Sequence, residues 1–435
     1  MSDIKDKFKE LFDRGALMTG AAWQKKAEET EQRRAAGAFE IDTCVPGQVV
    51  GTQEEGFYLV RHDIPLDSMH GRVELGAVLG AIPEHIALSA CDTELEAFDP
   101  ATALFIDAET TGLAGGTGTV AFLVGVGYMN QGAFRLDQCF MRDFDDEEPM
   151  LRYLDTLFKQ GEAVVSFNGK SFDVPLLRSR FISQRMPFRL DAALHFDLVH
   201  AARRFWKMRL KDCSLGNIER EVLGIQRHGD IPSAEIPQIW MDYLYTRDAR
   251  VLPRVFYHHK MDILSLTALT ALLSQCLDVP AGQGFEHAED RLSLVRLHFR
   301  QKRYEDVRVH AHELLETDLD PLVRRECLEL LAFAQKRLQD WDLMEETWSL
   351  MFQEFPREIL PRLELAKHHE HRTRNLFEAA RICEETLEFL HTRNALGHDD
   401  DFDAWQARSF QHRLDRLRRK IAKASTSWQF PDSEG

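Results

Sequence analysis

The sequence predicts two architectures in tandem: an α/β domain whose mixed sheet is flanked by helices, then an all-α domain of helical repeats. Three observations carry this reading. Apolar runs at Leu104–Asp107, Thr119–Met129 and Ala133–Met141 follow one another, the last two joined by a tight Asn130-Gln131-Gly132 connection that implies an antiparallel hairpin. A further apolar run, Ala163–Phe167, comes only after an amphipathic helix at Pro149–Lys159, so helices and strands share one layered unit. Beyond Gly282-Gln283-Gly284 the pattern becomes helical throughout, and three similar segments recur there.

Taken in order, residues 1–96 read as an extension packed on the next domain. Its first 40 residues are charged and Ala-rich, and short β-like runs such as Phe57–Val60 follow. Residues 97–280 form the sheet domain. Acids at Asp143, Asp145, Asp146, Glu147 and Glu148 precede the Pro149 helix and suit the positive end of a helix, a structural role. Asn168-Gly169-Lys170 turns the Ala163–Phe167 strand into a helix, and helical patterns continue at Phe196–Lys207, Leu215–Leu223 and Arg254–Leu277. This element order is the one used by ribonuclease-H-like folds. In residues 281–425 the repeat anchors Tyr304, Trp341 and Leu376 stand 37 and 35 residues apart, near the tetratricopeptide period. A Lys/Arg-rich helix at Arg408–Lys423 closes the array, and the polar tail 426–435 reads as disordered.

Composition narrows the function. With 44% hydrophobic residues the chain can form ordinary cores, yet no run of about 18 apolar residues marks a membrane span. The segment Met1–Arg14 alternates charge with Phe and Leu and lacks the apolar centre of a secretory signal. Seven scattered cysteines without a C-x-x-C pair argue against a disulfide framework and a zinc site, and fit a reducing cytoplasm. The net charge of −17 conceals a basic stretch: residues 178–227 hold 11 Lys+Arg against 5 acids, a local balance of 11 − 5 = +6. Such a stretch suits phosphate neutralisation as well as it suits a solvated helix face.

The chemistry centres on Asp107 and Glu109. One residue apart in a strand, they share a face, and two converging carboxylates repel unless a cation lies between them. Asp173, five residues after Asn168, begins the helix leaving the Ala163–Phe167 strand; if that strand runs parallel to Leu104–Asp107, the two open at the same sheet edge. Asp262 lies in His258-His259-Lys260-Met261-Asp262, where His258 and Asp262 fall one helical turn apart. Four carboxylates and a histidine suit phosphodiester cleavage assisted by two divalent cations, Mg²⁺ or Mn²⁺, with the histidine accepting a proton from water.

The segments FIDAETTGL, SFNGKSFDVPLL and HHKMDILSL resemble the three exonuclease motifs of the DEDD superfamily (DnaQ-like), whose 3'-5' exonucleases share the ribonuclease-H-like fold. The resemblance is nearest to the bacterial YprB-like branch, called mitomycin repair factor B in one lineage. It continues through GGTGTVAFLVGVGY and CSLGNIEREVLGIQRHGDIP, and covers roughly residues 50–400. It implies that Asp107, Glu109, Asp173 and Asp262 are the metal ligands and His258 the general base. It also implies that Thr110, Thr111 and Leu113, with Asn168, line the pocket for a terminal nucleotide. In the superfamily a histidine stands five residues before the last Asp, or a tyrosine four; here Tyr257 is five before Asp262 and His258 four. Helical geometry favours His258, with Tyr257 and His259 as alternatives.

The expected function is therefore a metal-dependent 3'-5' exonuclease on DNA, in DNA repair, with the repeats recruiting a protein such as a repair helicase. Two alternatives stay open: a non-catalytic nucleic-acid scaffold with protein-binding repeats, and an endonuclease acting on RNA or branched DNA. Other features read as structural. Gly115-Gly116-Thr117-Gly118 lacks the helix and Lys-Ser/Thr ending of a phosphate loop. His368-His369-Glu370-His371 reads as a polar helix end, and Asp197 and Glu219 as structural acids.

Overall fold

A computed structural model describes residues 39–112, 118–278, 284–396 and 401–426. The expected N-terminal helices before residue 39, Leu113, the Gly115–Thr117 part of the glycine-rich turn and the tail from residue 427 lie outside the described residues. The chain divides into two compact units between Val279 and Pro280.

The first unit is built on a seven-stranded mixed sheet. Its strands are β1 (Gln48–Gly51), β2 (Gly56–Pro65), β3 (Ala103–Thr110), β4 (Ala121–Asn130), β5 (Ala133–Phe140), β6 (Ala163–Ser166) and β7 (Leu194–Asp197), in the spatial order β1-β2-β5-β4-β3-β6-β7. The β3-β4-β5 meander is antiparallel, whereas β6 and β7 add in parallel on the far side of β3. The hairpin between β4 and β5 turns on two residues, Gln131 and Gly132, both at positive φ, the geometry that matches strand twist.

Two expectations change here. Residues 48–65, read as part of a packed extension, form a hairpin whose second strand, β2, pairs along β5 and so extends the sheet itself. The helix expected from Phe196 begins at Leu198, because Phe196 and Asp197 end β7 and the Asp197 side chain caps the helix by accepting from the Val199 amide. Leu194-His195-Phe196-Asp197 runs straight into a helix and lacks the continuous apolar run that marks β6 in the sequence.

The flanking helices are α1 (Pro83–Ala90), α2 (Glu147–Phe158), α3 (Asp173–Ser183), α4 (Leu198–Leu210), α5 (Ile236–Thr246) and α6 (Leu252–Asp278). One core joins Leu104, Ile106, Val124 and Val126 of the sheet to Leu154, Leu177 and Phe181 of α2 and α3. Glu147, buried at the start of α2, pairs through both oxygens with Arg180 of α3 at 2.6 and 2.7 Å. Helix α6 is long and apolar enough to cross a membrane by composition, but 78% of its most apolar window is buried in the folded chain, so it is a core helix.

The approach of α6 to the sheet depends on two glycines of β4. A Cβ on Gly125 would stand 2.1 Å from Ile263 Cδ1 and 2.5 Å from His259 Cε1, and one on Gly127 would meet Ile263 Cγ2 at 2.9 Å. Any side chain there would lift α6 from the strand that carries Asp107 and from its neighbour.

The second unit is helical: α7 (Ala288–Arg300), α8 (Tyr304–Leu315), α9 (Pro321–Leu338), α10 (Trp341–Glu354), α11 (Leu360–His371), α12 (Leu376–Ala395) and α13 (Asp401–Thr426). Each anchor identified in the sequence opens the second helix of a pair: Tyr304 opens α8, Trp341 α10 and Leu376 α12. Two residues before each anchor the backbone is left-handed, at Lys302 (φ 60°), Gln339 (φ 66°) and Arg374 (φ 58°). The three pairs therefore repeat in backbone geometry as well as in sequence.

Candidate active site

Pairing of β3 with β6 in parallel, Phe105 opposite Val165, makes both strands open at one edge of the sheet. Asp107 and Glu109 lie at the end of β3, opposite Gly125 and Leu123, just before the ladder shifts register between Glu109 and Thr110. From β6 the chain turns through Asn168, at φ 69°, and brings Asp173 in at the first turn of α3. Gly169 admits that turn: a Cβ there would stand 2.4 Å from Ser166 Oγ and 3.2 Å from Asp173 Oδ2. Helix α6 lays His259 and Ile263 against β3 and β4 and supplies Asp262 and His258 to the cavity beside them.

The four acids feel one another. Burial, then the charges of Asp107, Asp262 and Asp173, push the Glu109 carboxyl well above the carboxylate range. Burial and Asp107 do the same to Asp173. Asp107 is pushed up to about 6 by burial, although His258 and Arg227 pull it down, and Asp262 is raised by burial and Asp107. Ligand atoms of Glu109, His258 and Asp262 all lie within 4.8 Å of one another, while Asp107 and Asp173 stand outside this tightest group. Carboxylate oxygens with one imidazole and no thiolate form a donor set for a hard divalent cation.

His258 and His259 have different surroundings. His258 is buried at the wall of a cavity of about 790 Å³ that is also lined by Asp107, Arg227, Asp230, Ser233 and Asp262. Its Nδ1 lies 2.9 Å from Asp230 Oδ1, and its Nε2 faces Ser233 Oγ at 3.1 Å and Asp262 Oδ2 at 3.4 Å. His259 is fully buried behind β3, with Nε2 at 3.1 Å from the Asp107 carbonyl and Nδ1 at 3.0 Å from Gln138. Burial drops its basicity to about 4. Tyr257 does not line the cavity.

Of the expected pocket residues, Thr111 braces the loop after β3: its amide donates to the Val120 carbonyl at 3.0 Å and its hydroxyl accepts from the Val120 amide at 3.1 Å. The Thr110 hydroxyl donates to the Gly112 carbonyl at 3.1 Å. Asn168 is fixed through its amide, which donates to Asp197 Oδ1 at 2.7 Å while Lys170 donates to Oδ2 at 3.0 Å. Asp197 thus ties the Asn168–Lys170 turn to the start of α4.

Two site residues escape a sequence reading. Asp230 and Arg227 stand in an irregular stretch between Gly224 and Pro232 that carries no periodic pattern, and only their place in the GIQRHGDIP segment marked them. Arg227 pairs with Glu219 and with Asp262. Much of the basic stretch serves internal ion pairs: Arg178 with Asp191, Arg180 with Glu147, and Arg189 with Asp155.

Residues 104–274 match a family model described as the RNase_H superfamily. Over 347 residues, 77% of this chain and 81% of the other, the sequence is 27% identical to the uncharacterized protein YprB of Bacillus subtilis (strain 168). The sheet order and this match together give the first unit an RNase H-like fold.

Proposed function

We propose that this protein is a 3'-5' exonuclease that hydrolyses DNA phosphodiester bonds with two Mg²⁺ or Mn²⁺ ions. The observation that supports it most is the mutual electrostatic action of four carboxylates, delivered by a strand end, a helix start and the middle of a second helix. Asp107, Glu109, Asp173 and Asp262 would hold the cations, which would supply Lewis acidity toward the phosphate and a more acidic water. His258 takes the proton of the attacking water at Nε2. Asp230, against Nδ1, fixes the tautomer that leaves Nε2 free to accept it. The cavity beside His258 receives the strand terminus, and by resemblance Thr110, Thr111, Leu113 and Asn168 contact the terminal nucleotide. By resemblance, the helical unit recruits a protein of DNA repair such as a helicase, in the cytoplasm.

The test is a pair of single strands labelled at the 3' or the 5' end, incubated with Mn²⁺, with Mg²⁺ and with chelator. Early release of the 3' label, abolished by chelator and by Asp107→Ala, is expected. Release that persists under either treatment would refute the metal-centred reading.

A further inference from the structure

One cation is already built into the carboxylate cluster. Arg227 donates through Nε to Glu219 Oε2 at 2.7 Å and through Nη2 to Glu219 Oε1 at 2.5 Å, and the same Nη2 donates to Asp262 Oδ1. Nη1 makes only long contacts, 3.3 Å to Asp230 Oδ2, 3.3 Å to His258 Nδ1 and 3.4 Å to the His258 carbonyl. The guanidinium is 10% exposed, and a charge buried to that degree needs a partner. Glu219, joined bidentately, already meets that need. The added bond to Asp262 therefore acts on Asp262.

The guanidinium is also braced from behind. Glu219 Oε1 accepts from Ser265 Oγ at 2.5 Å, and Ser265 Oγ lies 2.8 Å from His70 Nε2. His70 stands in a two-stranded ribbon, Met69–His70 with Val73–Glu74, pressed against the π-turn Glu219–Leu223. At Gly71, φ 61°, a Cβ would stand 2.1 Å from the Leu223 carbonyl oxygen, so the ribbon is seated on the turn that carries Glu219. Asp262 in turn belongs to the group of ligand atoms drawn within 4.8 Å, together with Glu109 and His258. A carboxylate oxygen held by a guanidinium is a poorer cation ligand, and a fixed positive charge a few ångströms away repels a second cation.

We propose that Arg227 is the resident counter-cation of this centre: it competes with a divalent ion for Asp262, so that this half of the site loads weakly until a nucleic-acid phosphate brings further negative charge into the cavity. The inference rests on the metal-dependent reading given above. It makes Arg227 a positioning residue that couples metal loading to the presence of substrate.

The test is calorimetric titration of the full-length protein with Mn²⁺ alone. The variant Arg227→Gln should bind the weaker of two Mn²⁺ ions about tenfold more tightly than the wild type, whereas Arg227→Lys, which keeps the charge, stays near the wild type. In the wild type, an oligonucleotide with non-hydrolysable phosphorothioate linkages should strengthen the same step about tenfold. Equal or weaker Mn²⁺ binding by an Arg227→Gln protein of native circular dichroism overturns the role of Arg227. An oligonucleotide that leaves the wild-type titration unchanged does so independently of any variant. A wild type that binds no Mn²⁺ overturns the metal-centred reading as well.

Discussion

Asp107 sits directly opposite Gly125 in the antiparallel ladder, and the missing side chain of Gly125 admits α6 to the back of Asp107. The His259 ring occupies that space, held between Gln138 and the Asp107 carbonyl. Gly125→Ala is therefore expected to cost roughly 1–3 kcal/mol of stability and to lower activity by shifting Asp262 away from Asp107. Ile263→Val, which removes the Cδ1 that the new Cβ would meet, should restore part of the loss. Denaturant unfolding of the single and double variants measures this, and a Gly125→Ala protein as stable as the wild type would contradict the packing described.

Protonation of the acids ties stability to pH. Asp107 has its folded pKa raised to about 6 from an ordinary 3.8, so the folded state binds more protons between those values. Its contribution is favourable at low pH and is lost as pH rises through about 6. That loss is roughly 3 kcal/mol in chelator-treated protein, at about 1.4 kcal/mol per unit. Divalent cation should reverse it near neutrality, because binding requires the ionised form. Melting temperatures at pH 4.5 and 7.5, with Mn²⁺ or chelator, measure both effects; a chelator-treated protein more stable at pH 7.5 would count against a clustered site.

Much of this site was legible in the sequence because its acids occupy regular elements. The period of a strand put Asp107 and Glu109 on one face, and the turn of a helix put His258 beside Asp262. Arg227 and Asp230 were not legible in the same way. They reach the site from irregular chain whose course is set by tertiary contacts, such as Ser233 against His258 and Arg254 against the Gly229 carbonyl. The fold was read well where apolar runs were continuous, as at β4 and β6. It was read poorly at β7, four residues ending in a helix cap, and at β1 and β2, whose membership in the sheet is decided by the pairing of β2 with β5. Anchor spacing foretold the helix pairs of the second unit, but not the use made of Glu370.

Asp230 orients His258. Asp230→Asn keeps the shape but loses the ionised acceptor at His258 Nδ1, and is expected to slow turnover about 10- to 100-fold. His258→Ala should cost more, about 10²- to 10⁴-fold. His259→Gln, by contrast, acts through packing behind β3. Single-turnover rates at saturating Mn²⁺ separate these cases, and an Asp230→Asn protein with full activity would remove Asp230 from the account.

In the helical unit Glu370 is fully buried on α11 and meets Arg413, Arg416 and Lys420 of α13 at 2.6–2.8 Å. Although burial opposes ionisation, Arg416, Lys420 and Arg413 bring its pKa down to about 2. A depressed carboxylate stabilises above its unfolded pKa, so this contribution is present above about pH 4.5 and is lost as pH falls toward 2. Glu370→Ala removes the acceptor shared by three part-exposed cations and is expected to cost about 1.5–3 kcal/mol, read as earlier proteolytic cleavage within α13 of the full-length chain. Unchanged protease resistance would contradict the docking role of Glu370.

The central claim is tested most directly by offering one single-stranded DNA sequence in two forms, linear and covalently circular, with Mn²⁺. The account predicts that the linear strand is shortened from its 3' end while the circle stays intact. Nicking of the circle, or a linear strand left whole with every divalent metal tried, would contradict it.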